Sequence, residues 1–248
     1  MDRDEPISEA TFLATYDASR YDRPSVAVDV ALVAIRDGAL WTLLVQRTEH
    51  PALGAWALPG VFVALHESLD AAAVRALSTK AGLRDVFIEQ LYTFGDPQRD
   101  PRTRVIAVAY YALVEPAALE RAAASPDMRL ARLHVPWAGE SGGPVDVFGD
   151  DAQPLPLAFD HAGILGMVVQ RIRGKLDYAA IGFELLPPRF SLRDLRLVHE
   201  AILGRPLNKD SFRRRVLDRG LVVPTGQRDT AVGFRPPELY RFANRRTR

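Results

Sequence analysis

The chain has 248 residues, of which 48% are hydrophobic and 25% are charged, and this composition predicts a soluble globular protein of one or two domains. It contains no cysteine, which excludes a disulfide framework and a thiolate metal site and fits a reducing cytoplasm. The longest apolar runs fall short of the roughly 20 residues that a membrane-spanning helix needs, and no export signal is visible, so we expect a cytoplasmic protein without a membrane partner.

Charge is distributed unequally along the chain, although the net charge is only +1. Residues 1–188 carry 17 Lys and Arg against 25 Asp and Glu, whereas residues 189–248 carry 15 against 6. A basic segment attached to an acidic body predicts an anionic polymer or surface as the partner of the basic segment.

The first two thirds of the chain predict an α+β domain, in which strands are interrupted by one well-marked helix. Residues 1–24 are expected to form a loose arm and residues 25–182 a domain that opens with a hairpin of buried, β-branched strands. Residues 115–156 contain a loop rich in glycine, proline and aspartate, and residues 183–190 predict a linker. Strands are expected at residues 26–35, 40–47, 86–94, 105–114 and 130–135, and helices at residues 68–81 and 158–175.

The basic segment, residues 183–248, predicts a second domain that begins with two helices. Ser191 is suited to cap the first helix, which Gly204 ends, and the second helix is expected from residue 208 or 209 to 219. At 100° per residue, the second helix has an apolar side formed by Phe212, Val216 and Leu217. The residues that point away from this side are Ser211, Arg214, Arg215 and Asp218.

A hairpin is expected after these helices, with strands at residues 221–224 and 230–234, a turn at Thr225-Gly226 and Arg228 near its tip. Helix, turn, basic helix and hairpin are the order of a winged helix-turn-helix domain, whose second helix enters the major groove of DNA. The expected DNA-binding residues are Lys209, Ser211, Arg214, Arg215 and Arg228.

Residues 59–83 resemble the Nudix box, a loop, helix and loop whose glutamates hold divalent metal on a nucleoside-diphosphate-linked substrate. The resemblance rests on Pro59-Gly60, on Glu67 followed after seven residues by Arg75, and on Ala81-Gly82-Leu83 at the end of the helix. It implies an α+β Nudix fold, a mixed sheet flanked by helices. An ordinary amphipathic helix would explain the apolar spacing here, but not the Leu-Pro-Gly before it or the spacing of Glu and Arg.

The metal-binding residues of that box are missing from this sequence. The box glycine falls on Val61, the glutamate after Arg75 is Ala76, and the glutamate pair is Thr79-Lys80. A pyrophosphate is attacked only when cations neutralise its oxygens and activate water. The resemblance therefore implies a Nudix domain without hydrolysis, with no catalytic residue and no metal site, in which Glu67 pairs with Arg75.

Both halves together resemble the Nudix-related transcriptional regulators of the NrtR family. The more specific marks are LYTFGDPQRDPR at residues 91–102 and LGRPLNKDSFRRR at residues 203–215. The resemblance implies a homodimeric repressor of NAD metabolism genes, located at the nucleoid, which binds palindromic operator DNA and responds to ADP-ribose or a related nucleotide. No cofactor is expected apart from this effector.

The effector residues are harder to place from the sequence. The loop at residues 96–104 contains two prolines that stiffen it and three arginines suited to bidentate phosphate recognition, and Phe62 or Trp56 is expected to stack on adenine. A solvated loop whose aspartates and arginines pair with one another is an equally good interpretation. The candidate effector-binding residues are Arg47, Phe62, Glu67, Arg99, Arg102 and Arg104.

Two other classes of function stay open at this level. One is a residual Nudix hydrolase on ADP-ribose or related nucleoside diphosphates that uses carboxylates outside the box, such as Glu89, Glu115 or Asp100. The other is an acidic adaptor whose basic domain binds RNA or protein instead of duplex DNA.

Overall fold

The molecule has two sheets, which come from different parts of the chain. Eight strands between residues 25 and 148 form the larger sheet, and three strands after residue 189 form the smaller one. The computed structural model describes residues 7–84, 86–176, 185–229 and 236–243.

The larger sheet is mixed, because β1 and β6 run parallel while its other strand pairs are antiparallel. Its order is β5-β6-β1-β2-β7-β8, with β3 added on β2 and β4 on β1. The strands are β1 (Ser25–Arg36), β2 (Ala39–Gln46), β3 (Trp56–Ala57), β4 (Gly60–Phe62), β5 (Glu89–Phe94), β6 (Val105–Leu113), β7 (Met128–His134) and β8 (Asp146–Phe148).

Helices cover both faces of this sheet, and alternate side chains of β1 pack into the two cores that result. Val28, Val30 and Leu32 belong to a core that contains helices α2 (Leu69–Ala76) and α3 (Pro116–Ala122). Ala31 and Val33 face a second core, which contains helix α4 (His161–Lys175). Successive side chains of a strand point to opposite faces, so the nearly continuous apolar run of β1 is buried on both sides.

Several helices and strands begin or end at other residues than the sequence predicts. Ser68 caps α2 as expected, but residues Leu77–Ala81 continue it as a π-helical segment, which ends at Gly82 with φ +63°. Strand β5 begins only at Glu89, and α4 begins at His161. Helix α3 and strand β8 lie in the region for which only one strand and a loop were expected. The N-terminal arm contains helix α1 (Glu9–Thr15), none of whose residues is buried.

The two C-terminal helices lie where the sequence places them. Helix α5 (Leu192–Leu203) has a capping box, in which Ser191 accepts from the Asp194 amide and Asp194 accepts from the Ser191 amide. Helix α6 (Lys209–Asp218) is capped by Asn208. Phe212 and Val216 of α6 are buried as expected, but Leu217 is 36% exposed, so its expected place in the core is wrong.

The hairpin differs from the predicted one in its turn and its return strand. Strand β10 (Val222–Arg228) runs through Thr225-Gly226 and pairs with β11 (Glu238–Phe242), which in turn pairs with β9 (Phe190–Ser191). Gly226 has φ +72°, and the register shifts between Pro224 and Arg228, so this glycine serves a bulge and not a hairpin turn. Residues 230–234, expected as the return strand, lie outside the described residues.

The two parts of the chain share one core. Leu195, Ile202 and Phe212 belong to the same buried cluster as Ile164 and Val168 of α4. The expected domain boundary at residues 182–183 falls outside the described residues. Within the described ranges, no helix is both long and apolar enough to span a membrane.

Candidate functional site

Two arginines and two phenylalanines from four separate elements converge beside the Nudix-like loop. The Arg102 guanidinium lies 5.4 Å from the ring centroid of Phe62 and 5.9 Å from that of Phe159, and the Arg47 guanidinium lies 4.8 Å from the Phe159 ring. Phe159 adopts φ +55°, a left-handed conformation that is uncommon for a bulky side chain. We call Arg47, Phe62, Arg102 and Phe159 the arginine–phenylalanine cluster.

The cluster concentrates positive charge. The pKa of Arg47 is lowered by its burial and by the neighbouring charge of Arg102, with Asp100 and Glu49 opposing the shift. Asp100 holds Arg102 through two hydrogen bonds of 3.0 and 2.7 Å, which raise the pKa of the guanidinium. Phe62 is 47% exposed and the Arg102 side chain is 42% exposed, so an aromatic face and a guanidinium group are accessible at one place. Such a combination suits a ligand with both phosphate groups and a flat ring.

A buried ion-pair network lies under this cluster. The Arg99 side chain is 4% exposed and donates to Asp160 at 2.8 and 2.6 Å, while Asp29 lies 3.6 Å away. Burial lowers the pKa of Arg99, but the hydrogen bonds and charges of Asp160 and Asp29 outweigh it and raise that pKa. Arg99 therefore joins the loop before β6 to the start of α4, and its guanidinium is occupied by this contact.

His161 and Gly60 lie beside this ion-pair network. The buried His161 accepts from the Leu58 amide through Nδ1 at 2.9 Å, and its Nε2 lies 3.8 Å from Asp29. Desolvation lowers the pKa of His161, so the neutral ring is favoured. A Cβ at Gly60 would lie 2.4 Å from the Asp29 carboxylate and 2.9 Å from the Val28 carbonyl. The glycine of the Leu-Pro-Gly motif is thus required by the close approach of β4 to β1.

The Glu67–Arg75 pair forms as the sequence predicts. Arg75 donates to the Glu67 carboxylate at 2.7 and 2.8 Å and to the Phe62 carbonyl at 2.8 Å, and Glu67 also accepts from the Ala64 amide. The hydrogen bonds from Arg75 and then Ala64 lower the pKa of Glu67 to about 2. The Arg75 side chain is 41% exposed, so the pair is partly solvated. It fixes the Nudix-like loop, and with it Phe62, to α2.

The positions of the missing glutamates do not offer ligands for a divalent metal. Ala76 is fully buried against the sheet, and the Thr79 hydroxyl donates to the Arg75 carbonyl at 2.7 Å. Lys80 is exposed within the π-helical segment. Among the described residues, no group of three or more His, Asp or Glu side chains is arranged to hold a metal ion. The divalent metal of the Nudix fold therefore finds no matching donor set at the box.

Two further candidates stand apart from the cluster. Arg104 is exposed, and its carbonyl accepts from the Ser25 amide at 3.0 Å. Trp56 is only 9% exposed and belongs to the core, with Arg129 over its ring, so the structure does not present it for stacking on adenine. Phe159 and Asp160 were missed from the sequence. No local pattern in the sequence identifies these two residues as part of the site. They directly precede α4, whereas the loop that they contact is about 60 residues earlier in the chain.

Helix α6 presents its basic residues on three sides. Arg214 points directly away from the buried Phe212 and Val216, with Ser211 beside it. Arg215 lies 5.8 Å from the Phe212 ring and lines a groove between α6 and the larger sheet. Lys209 lies on the opposite flank. Arg228, at the end of β10, lies opposite Glu238 of β11 in the strand register, and its guanidinium donates to the Pro236 carbonyl at 3.4 Å.

Comparisons with known proteins agree with this architecture. A model of the NUDIX domain matches residues 24–136, and a model of the NrtR DNA-binding winged helix domain matches residues 182–242. The chain is 38% identical to the ADPR responsive transcriptional repressor NtrR of Acinetobacter baylyi, over 95% of this chain and 89% of the relative.

Solved structures give the same result. Shewanella oneidensis NrtR complexed with a 27mer DNA is similar with a TM-score of 0.70 and 35% identity, over 88% of this chain and 93% of that chain. The NUDIX domain of the same protein complexed with ADP ribose is similar with a TM-score of 0.50 and 33% identity, over 67% of this chain and 99% of that chain. The predicted Nudix fold and winged helix are thereby confirmed, and the chain belongs to the NrtR family of Nudix-related transcriptional regulators.

Proposed function

We propose that the protein is a transcriptional repressor of NAD metabolism genes, whose Nudix domain binds ADP-ribose without hydrolysing it and whose winged helix binds operator DNA. One observation carries the proposal: the frame of the Nudix loop is intact around the arginine–phenylalanine cluster, while the glutamate positions hold Ala76, Thr79 and Lys80. Relatives named for an ADPR response and for complexes with ADP ribose and DNA support it.

In the proposed complex, the cluster receives the effector. Arg47 and Arg102 bind the pyrophosphate, and Phe62 and Phe159 contact the adenine ring, because guanidinium groups and aromatic faces suit these two chemistries. Glu67 and Arg99 hold the loops in place through their ion pairs. Arg104 is exposed at the end of the same loop but apart from the cluster, so its phosphate contact stays a prediction from the sequence.

In this proposal, helix α6 binds in the major groove of the operator DNA. Arg214 and Ser211 are exposed opposite the core, Arg215 extends the surface toward the larger sheet, and Arg228 approaches the backbone from the hairpin. A single winged helix covers only a short half-site, so we propose a homodimer on a palindromic operator at the nucleoid, in the cytoplasm. Residues 25–182 and 183–248 are the proposed functional halves.

Genomic binding of the tagged protein tests the proposal most broadly. We expect one enriched palindrome upstream of genes for NAD synthesis or salvage. Enrichment of transcripts instead of chromosomal sites would favour the RNA-binding adaptor, and the absence of both would refute DNA recognition. Sedimentation of the full chain at micromolar concentration tests the dimer, and a single species of monomer mass would contradict it.

A further inference from the structure

A basic pocket lies between α5, α6 and β11, on the side of α6 that carries Lys209 and Arg213. Its volume is about 410 Å³, and Phe212 and Tyr240 line it together with four cationic side chains. The four cations are Arg193 and Arg196 of α5 and Lys209 and Arg213 of α6.

The cations are arranged as two facing pairs. Arg193 and Arg196 are three residues apart on α5, and Lys209 and Arg213 are four residues apart on α6, so each pair projects from one side of its helix. Like charges at this spacing repel each other on the surface of a helix. An anion bound in the pocket would reduce this repulsion.

The pocket has few carboxylates to balance this charge. Arg196 donates to Glu200 at 2.6 Å, and the same Glu200 oxygen accepts from the Leu207 amide, so this pair belongs to the turn between the helices. Glu238, the acidic residue among those lining the pocket, accepts from the Tyr240 hydroxyl at 2.7 Å. Its one negative charge faces three further cations.

Arg193, Lys209 and Arg213 are exposed and form no ion pair with any described residue. The charge of Arg213 acts on the Tyr240 hydroxyl, where it opposes the rise in the pKa of that phenol caused by burial and Glu238. Arg213 therefore lies close to β11, on the side of the pocket that the hairpin closes. Three uncompensated cations from two helices thus converge beside a strand of the hairpin.

We propose that this pocket is a backbone clamp, in which Arg193, Lys209 and Arg213 bind phosphates of one DNA strand where it passes between α6 and the hairpin. The clamp rests on the proposed DNA-binding function and adds two residues, Arg193 and Arg213, to the predicted DNA contacts. It assigns phosphate binding to Lys209, which the sequence predicts only as a DNA-binding residue. Phosphate contacts position a protein on the duplex, whereas Arg214, on another side of α6, is left to face the bases.

Binding of the full chain to two unrelated 30-base-pair duplexes of mixed sequence, followed by fluorescence anisotropy from about 50 to 200 mM NaCl, tests the clamp. Each of Arg193→Ala and Arg213→Ala is expected to lower the slope of log affinity against log salt by about 0.9 and to weaken both duplexes equally. The loss of affinity across this salt range is then about threefold smaller than in the parent protein. Arg213→Lys keeps the charge and is expected to retain the slope.

Arg205→Ala is the matched control, because Arg205 is an exposed arginine in the turn between α5 and α6 and lines the groove on the other side. It is expected to keep the slope of the parent protein. Circular dichroism melting of each variant checks that the fold is retained. Arg214→Ala is expected to reduce the difference in affinity between operator and scrambled DNA. The clamp variants are expected to leave this difference unchanged.

The outcomes separate the clamp from the function on which it rests. If the parent protein binds duplexes with a steep salt dependence while Arg193→Ala and Arg213→Ala share its slope, the clamp is wrong and DNA binding stands. If these variants lose only the binding of inorganic phosphate, measured by calorimetry at constant ionic strength, the pocket holds a small anion and the clamp is again wrong. If the parent protein binds neither duplex nor operator, both proposals fail.

Discussion

Arg173, near the end of α4, donates from Nε to the carbonyl of Ile202 in α5 at 2.8 Å. The same buried guanidinium donates to the carbonyls of Gly139 at 2.9 Å and Trp137 at 3.3 Å and lies 4.8 Å from the Trp137 ring. At the other end of α4, Asp160 binds Arg99 under the proposed effector site. Helix α4 is thus bonded at one end to the ion-pair network under the proposed effector site and at the other end to the winged helix.

Arg173→Met is expected to destabilise the protein, because it leaves three backbone carbonyls without their donor in a buried place. The free energy of unfolding is expected to fall by about 1–3 kcal/mol. Urea unfolding followed by tryptophan fluorescence measures this change. Arg132→Met is the matched control, since Arg132 is exposed on β7, and equal stability of the two variants would show that the contact is dispensable.

Arg102→Ala is expected to weaken the binding of ADP-ribose about 10- to 100-fold, because a charge-assisted hydrogen bond to phosphate contributes about 1.5–3 kcal/mol. Removing the guanidinium also exposes the Asp100 carboxylate that it neutralises. Isothermal titration calorimetry measures the affinity, with Arg132→Ala as a control that keeps the parent value. Unchanged affinity in Arg102→Ala would place the effector elsewhere.

The parent protein is expected to release no AMP from ADP-ribose or NADH with Mg²⁺ or Mn²⁺, because Ala76, Thr79 and Lys80 supply no carboxylate. Lys80→Glu is not expected to create activity, since Ala76 is buried and a single carboxylate does not form a metal site. Chromatography of the products checks both. Metal-dependent release of AMP that Glu67→Gln abolishes would support the hydrolase alternative.

His161 is expected to make stability depend on pH near neutrality. Its pKa is lowered from 6.5 by burial and by the charges of Arg99 and Arg47, against the opposing effect of Asp29 and Asp160. The unfolded chain therefore binds a proton more readily than the folded one. As pH falls from about 6.5 toward the folded pKa, the free energy of unfolding should decrease by up to about 1.4 kcal/mol per pH unit.

Urea unfolding between pH 5.5 and 7.5 measures this dependence. His161→Asn, which lacks the titrating ring, is expected to show a flatter profile over the same range. Glu67 does not contribute in this window, because its pKa is lowered from 4.5 to about 2 and its stabilisation is lost only as pH falls below about 4.5. Parallel profiles for the parent and His161→Asn would contradict the assignment to His161.

Local signals in the sequence were enough to place α2 and the two C-terminal helices, but they missed α3 and did not give the long-range pairings. Ser191 and Gly204 bound α5 because capping depends on residues adjacent in the chain. The Thr225-Gly226 pair has the composition of a turn, yet the structure places it in a bulge, because strand register is fixed by distant partners. In the buried ion-pair network, Arg99 could be predicted because it lies in an arginine-rich loop. Its partner Asp160 could not, because it lies 61 residues away in the sequence.

The effect of ADP-ribose on the affinity of the full chain for its operator tests the central claim most directly. Because α4 is bonded to the ion-pair network under the proposed effector site and to the winged helix, we expect saturating ADP-ribose to change the dissociation constant at least fivefold in fluorescence anisotropy, within the usual range of allosteric coupling. We expect Arg102→Ala to need about 10- to 100-fold more ADP-ribose for the same change. An operator affinity of the parent protein that is the same with and without bound ADP-ribose would contradict the account.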